Sequence, residues 1–174
     1  MAVVTAACSR KPPLPEFGKV PVFVLKDQNA EAFKSSDKLA GHVWVADFFF
    51  TMCPGPCPRM STQMNEVQTA LHGKDVKLLS ISIDPEEDTP EVLTQYAKRY
   101  KADPAMWHFV TGPQPQLNYL AKDVFKLGVV DGSMEHSTRF VLIDKKSTIR
   151  GFYLTSEEGA IPKLIADAKD LLEE

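Results

Sequence analysis

The stretch Val43-Trp44-Val45-Ala46-Asp47-Phe48-Phe49-Phe50-Thr51-Met52-Cys53-Pro54-Gly55-Pro56-Cys57-Pro58-Arg59-Met60 decides how this 174-residue chain folds. Its first eight residues are apolar apart from Asp47, the pattern of a strand covered on both faces. Met60, Met64, Val67 and Leu71 then recur at helical spacing, which predicts a helix packed on that strand. Between them lie two cysteines, each followed by a proline that biases it away from helical backbone. Segment 53–57 is therefore expected as a loop, with Pro58 in the first helical position and Cys57 at the N-cap. There the unpaired N–H groups and the helix dipole favour a thiolate, the form that attacks disulfides and binds soft metals. The alternative, two inert buried cysteines, fits poorly with a Pro-Gly-Pro loop that cannot be packed inside.

Working outward, the chain alternates strands and helices. Val20 to Leu25 predicts one strand of an N-terminal hairpin, and Val76 to Ile83 a second buried strand. Thr89-Pro90 places a capping residue before a proline suited to a first helical turn, and Val92, Leu93, Tyr96, Ala97 and Tyr100 supply that helix's apolar face. Leu117, Leu120, Ala121 and Val124 mark another helix. Arg139 to Asp144 and Ile149 to Leu154 flank a Lys-Lys-Ser-Thr turn and read as an antiparallel hairpin. Ile161, Leu164, Ile165, Ala168, Leu171 and Leu172 close the chain as an amphipathic helix. The expected order is strand, helix, strand, helix, helix, strand, strand, helix. That is an α/β, thioredoxin-like fold: a central mixed sheet flanked by helices, with an added N-terminal β-hairpin.

Composition narrows the function. Hydrophobic residues make up 44% and charged residues 25%, as in an ordinary folded domain. Twenty Lys and Arg against 23 Asp and Glu leave a net charge of −3, which argues against nucleic acid as a partner. No apolar run reaches the roughly 18 residues of a membrane-spanning helix. Three cysteines are too few for a disulfide framework and point to chemistry instead. Residues 1–15 are expected as a flexible, proline-containing tether ahead of a single domain at 16–174. Within it Thr5-Ala6-Ala7-Cys8 is similar to the end of a bacterial lipoprotein signal, although Thr5 stands where Leu is preferred. Cys8 is thus either a lipid anchor or an incidental cysteine.

Two thiolates with one imidazole suit Cu(I), a soft ion that accepts low coordination, whereas structural zinc takes four protein ligands. Of the four histidines, His42 and His72 sit beside glycines in expected turns, and His108 follows Trp107 in an apolar stretch. His136 differs: it lies in the polar segment Gly132-Ser133-Met134-Glu135-His136-Ser137, just before the strand at Arg139. In a thioredoxin-like sheet that segment faces the cysteine loop.

Cys53, Cys57 and Pro58, the segment Ser82-Ile83-Asp84-Pro85-Glu86-Glu87-Asp88-Thr89-Pro90, and His136-Ser137-Thr138-Arg139-Phe140-Val141-Leu142-Ile143-Asp144 together resemble the Sco/SenC family, from about residue 17 to the C-terminus. The resemblance implies copper, as Cu(I) or Cu(II), held by Cys53, Cys57 and His136 on a thioredoxin-like fold. It also implies delivery to the binuclear copper centre of cytochrome c oxidase, with the oxidase's copper-binding subunit, other copper chaperones and thiol–disulfide reductants as partners. The setting it implies is extracytoplasmic: the bacterial periplasm or the outer face of the inner membrane. A second function follows from the same family, reduction of the oxidase subunit's cysteines by a Cys53–Cys57 redox pair. A copper-responsive redox sensor is a third. Thioredoxins themselves use a Cys pair one residue closer and carry a proline where Ser137-Thr138 stands here. The Thr-x-x-Cys arrangement of peroxiredoxins is missing.

Several neighbours have two readings. Asp84 and Asp88 are expected to organise the turn before the Thr89-Pro90 helix, the other reading placing Asp84 near the metal. Glu135 either orients His136 or is simply solvated. Met60 belongs to the helical apolar stripe, whereas Met52 and Met134 are candidate thioether donors.

Overall fold

The computed structural model describes residues 12–127 and 138–174. Among them, seven strands form one mixed sheet: β1 (Val24–Asp27), β2 (Ala32–Lys34), β3 (Val43–Phe49), β4 (Val76–Ser82), β5 (Trp107–Thr111), β6 (Arg139–Ile143) and β7 (Ile149–Leu154), in the spatial order β2-β1-β5-β4-β3-β6-β7. The central β3, β4 and β5 run parallel, and β1 and β6 pair antiparallel on either side of them. The helices are α1 (Ser35–Lys38), α2 (Cys57–Leu71), α3 (Pro90–Arg99), α4 (Gln114–Tyr119), which continues as a π turn over Leu120–Val124, and α5 (Ala160–Leu172). This is the expected thioredoxin-like arrangement with its N-terminal hairpin. None of the described helices is long and apolar enough to cross a membrane.

The strand at 43–49 is buried at every position, as its apolar run requires, and its alternation sorts the core into two layers. On one face Phe49 lies 5.0 Å from the Tyr96 ring and 5.7 Å from Phe109. The Tyr96 hydroxyl meets Ser61 Oγ at 2.9 Å, joining α3 to α2 over this layer. On the other face Trp44 and Phe48 both pack edge-on against Phe125, which follows the π turn. Met60, Met64, Val67 and Leu71 are all buried, so the helical stripe of α2 is core, including Met60. The α3 start is as read from sequence: Thr89 Oγ1 accepts from Val92 N, and Pro90 opens the helix.

Two elements are missing from the expected order, and one strand boundary is corrected. The segment Trp107–Thr111 is a full strand of the parallel set, although its one polar interruption at His108 hides the pattern. The first hairpin strand begins at Val24, not Val20, because the preceding residues have other partners: Val20 N donates to Ser147 O and Phe23 N to Ser35 Oγ. The four-residue helix at Ser35–Lys38 is too short to leave a periodic trace.

Candidate metal centre

Parallel pairing of β3 with β4 runs in register from Val43↔Val76 to Phe49↔Ser82, and Ile83 N extends it to Phe49 O. The chain then leaves the sheet at the carboxyl end of β3, where open α/β sheets present their binding loops. Cys53 N donates to Phe50 O at 3.2 Å, closing a tight turn, and Met60 N to Pro56 O locks the first turn of α2. Pro54 and Gly55 face solvent while both thiols turn inward: Cys53 is 7% exposed and Cys57 is 0%. Both are reduced.

This burial corrects two expectations. Cys57 is the first residue of α2, behind Pro56 at the N-cap, so Pro58 is the second helical residue. The thiol of Cys57 is also not tuned toward thiolate. Burial pushes its pKa well above the ordinary thiol value, the adjoining Cys53 thiol and the charge of Asp47 add to the rise, and only a backbone contact at Phe50 opposes it. Without metal, therefore, Cys57 is held protonated at neutral pH. A loop of Pro-Gly-Pro on the surface and two buried sulfurs turn out to be compatible, because the loop lies over the sulfurs like a rim.

Beneath the cysteines lies a polar chain that sequence reasoning missed. Asp47 is almost wholly buried, and Ser80 Oγ donates to its Oδ1 at 2.6 Å; Trp107 Nε1 in turn donates to Ser80 Oγ at 2.9 Å. Burial raises the Asp47 carboxyl to about 7, against a smaller opposite pull from Ser80. The signal available was a single carboxylate inside a strand that is otherwise apolar. Because the folded pKa lies above that of an unfolded Asp, the group's contribution to stability is fully present below about pH 4 and is lost as the pH climbs through about 7. Asp47→Asn keeps the acceptor for Ser80 without the buried charge. It is expected to raise unfolding stability by about 4 kcal/mol at pH 8 and by almost nothing at pH 4, as read by urea unfolding at the two pH values.

Asp88 is 0% exposed and closes a second network. Its carboxylate accepts from Thr51 Oγ1 and Ser82 Oγ at 2.5 Å each and from Thr51 N at 3.2 Å. Asp88 N donates to Asp84 O, and Asp84 N to Ser82 Oγ, so the turn-organising expectation holds for both residues. Burial raises the Asp88 carboxyl, while the hydrogen bonds from Ser82 and Thr51 pull it back. Met52, beside Cys53, is 74% exposed and turns its thioether to solvent at the rim.

His136, Met134, Glu135 and Cys8 lie outside the described residues. Among the described residues, no cluster of three or more His, Cys, Asp and Glu could hold a metal, so Cys53 and Cys57 have no third such donor there. Just before β6, the Thr138 carbonyl accepts from Thr155 N and Oγ1 at 2.8 Å each. The antiparallel register Ala46↔Val141 puts the start of β6 beside the end of β3, where the cysteine loop begins. Gln63 of α2 donates to Thr155 O at 2.9 Å, tying that corner to the helix that carries Cys57.

Comparison with known proteins supplies a family. A model described as SCO1/SenC matches residues 14–173. The crystal structure of a SCO1/SenC family lipoprotein from Bacillus anthracis is 31% identical, with a TM-score of 0.81 over 88% of this chain and 94% of that one. BsSco, described with a disulfide switch and as a member of the Sco family of cytochrome c oxidase assembly proteins, is 30% identical, with a TM-score of 0.80 over 94% and 98% of the two chains. Bradyrhizobium japonicum ScoI, solved with copper bound, shares the fold at 24% identity and a TM-score of 0.72, covering 88% of this chain and 99% of that one.

Proposed function

We propose, from the premise that this chain belongs to the SCO1/SenC family, that it carries copper on Cys53, Cys57 and His136 and delivers it to the binuclear copper centre of cytochrome c oxidase. The observation that carries the reading is the loop between β3 and α2, which turns two reduced sulfurs inward at one corner of the sheet. The donor set fits the ion. Two sulfurs and an imidazole are the soft, few-ligand environment that Cu(I) prefers, and the copper-bound ScoI neighbour supports the choice of metal. Three hydrogen bonds to Asp88 and the pairing of β6 beside β3 hold the rim of the site. Bound copper takes both sulfurs as thiolates, so binding releases protons from the buried thiols.

A delivery role suits the burial. Sulfurs that are nearly closed to solvent keep a reactive ion from water and oxidants until a partner opens the rim. The receiving partner is the oxidase's copper-binding subunit, and the loading partner a second copper chaperone. The lipoprotein relative supports Cys8 as an anchor that holds the domain at the outer face of a membrane. The disulfide switch named for BsSco favours a second reading, reduction of a partner's cysteines by the Cys53–Cys57 pair.

Titration of the reduced full chain with Cu(I), read against a competing chelator, tests the proposal. One tight equivalent per chain is expected, because there is a single Cys53–Cys57–His136 set. No tight binding, or two tight equivalents, overturns it.

A further inference from the structure

The cysteine loop is gripped from outside by a residue 37 positions away in sequence. Asp88 sits at the end of the β4–α3 connection with no solvent exposure, and its two carboxylate oxygens are divided between two walls of the site. Oδ1 takes the Thr51 hydroxyl, Oδ2 takes the Ser82 hydroxyl at the end of β4, and both lie 3.2 Å from Thr51 N. Thr51 is two residues before Cys53. Between the end of β3 at Phe49 and the start of α2 at Cys57, this carboxylate therefore links the first half of the loop to the neighbouring strand. The second half is fixed independently, by Cys57 standing in the helix.

We infer that Asp88 is a positioning residue for the Cys53–Cys57 pair, clamping Thr51 to β4 so that the Cys53 sulfur is held beside a Cys57 sulfur that the helix holds in place. The inference rests on the reading of these two cysteines as the working pair, but not on copper. A turn-organising residue would need only the backbone bond from Asp88 N to Asp84 O and the capping of α3 by Thr89. Burying a carboxylate at a cost, and using it to accept from both a backbone N–H and a hydroxyl of the cysteine loop, does more than that. Side chains that orient ligands from behind in this way typically change metal affinity by about 10–100-fold when removed.

Holding two thiols adjacent raises their effective concentration for each other, so the clamp favours the disulfide in exchange with glutathione as well as favouring metal. The exchange is balanced as Cys53-SH plus Cys57-SH plus glutathione disulfide giving the Cys53–Cys57 disulfide plus two glutathiones. The two protein thiols are oxidised, one glutathione disulfide is reduced, and the two thiol protons pass to the released glutathiones.

The test compares wild type, Asp88→Ala, the near-isosteric Asp88→Asn and, as a control, Asp167→Asn, in the full chain. Asp167 is another buried carboxylate, but it sits on α5 and bonds Tyr153 and Lys163, neither of which belongs to the cysteine loop. Each protein is equilibrated with glutathione buffers and scored for disulfide by thiol trapping, and each reduced form is titrated with Cu(I). Asp88→Ala is expected to shift the glutathione equilibrium about tenfold toward the dithiol, equivalent to about 30 mV, and to weaken copper by about tenfold or more. Asp88→Asn supplies one acceptor oxygen instead of two and is expected to move both readouts the same way by a smaller factor; it carries the test if the alanine variant does not fold. Asp167→Asn is expected to stay within twofold of wild type in both. Equilibria within twofold of wild type for the Asp88 variants, or an equal shift in Asp167→Asn, overturn the inference. A wild type that exchanges with glutathione but does not bind copper removes the copper reading and still scores the clamp.

Discussion

Oxidising Cys53 and Cys57 to a disulfide is expected to abolish tight copper binding, and reduction is expected to restore it fully. Both sulfurs are reduced in the structure, and among the described residues no His, Asp or Glu completes a cluster of three donors with them. A disulfide consumes both thiolates, and a disulfide sulfur is a poor ligand beside the anion it replaces. What remains of the proposed donor set is a single imidazole, which discriminates weakly among divalent metals and holds Cu(I) poorly. The measurement is Cu(I) competition with a chelator on oxidised, reduced and re-reduced protein, with thiol counts taken at each stage. Tight binding by the disulfide form would place the metal elsewhere. The same switch connects the two functional readings, since a partner that oxidises the pair would release the metal in the same step.

The second large effect is expected at His136. His136→Ala removes one of three proposed ligands and leaves both thiols, together with the loop and the Asp88 clamp that present them. Cu(II), which needs the harder nitrogen donor, is expected to lose at least about a hundredfold in affinity. Cu(I) is expected to lose less, because two thiolates alone satisfy the softer ion. Disulfide exchange with a small dithiol should change by less than about twofold, being governed by thiolate fraction and access at Cys53 and Cys57. In cells building a copper oxidase, the variant is expected to fail in assembly. Full oxidase activity with His136→Ala would instead make the thiol–disulfide reading the function.

The parts of this fold that were legible in the chain are those written in short-range pattern. The run of apolar residues at Val43–Phe49, the helical stripe from Met60 to Leu71 and the Thr89-Pro90 start each depend on neighbours within one or two turns, and each stands in the structure as read. Trp107–Thr111 was not legible, because five residues interrupted by His108 carry no period that separates strand from loop. Only the parallel register with β4, Leu78↔Trp107 to Ile81↔Val110, makes them one. The N-cap at Cys57 was misplaced by a single residue for a related reason: proline spacing suggests where a helix starts but not which carbonyl Met60 N will choose, and it takes that of Pro56.

The candidate site divides along the same line. The order of strand, cysteine loop and helix, the spacing of Cys53 and Cys57, and a lone histidine just before the β6 strand are properties of the sequence alone, since each is set by covalent neighbours and local backbone preference. The environment of those groups is not. That Cys57 is buried and its thiol held protonated follows from β3, α2 and Asp47 enclosing it, and no local pattern records how far water is excluded. Asp47 meets Ser80 only because register sets β3 against β4, and Asp88 reaches Thr51 only because the β4–α3 loop folds back over the end of the sheet. Those contacts join residues 33 and 37 positions apart, so it was tertiary structure, through burial and register, that decided the charge state and the bracing of the site.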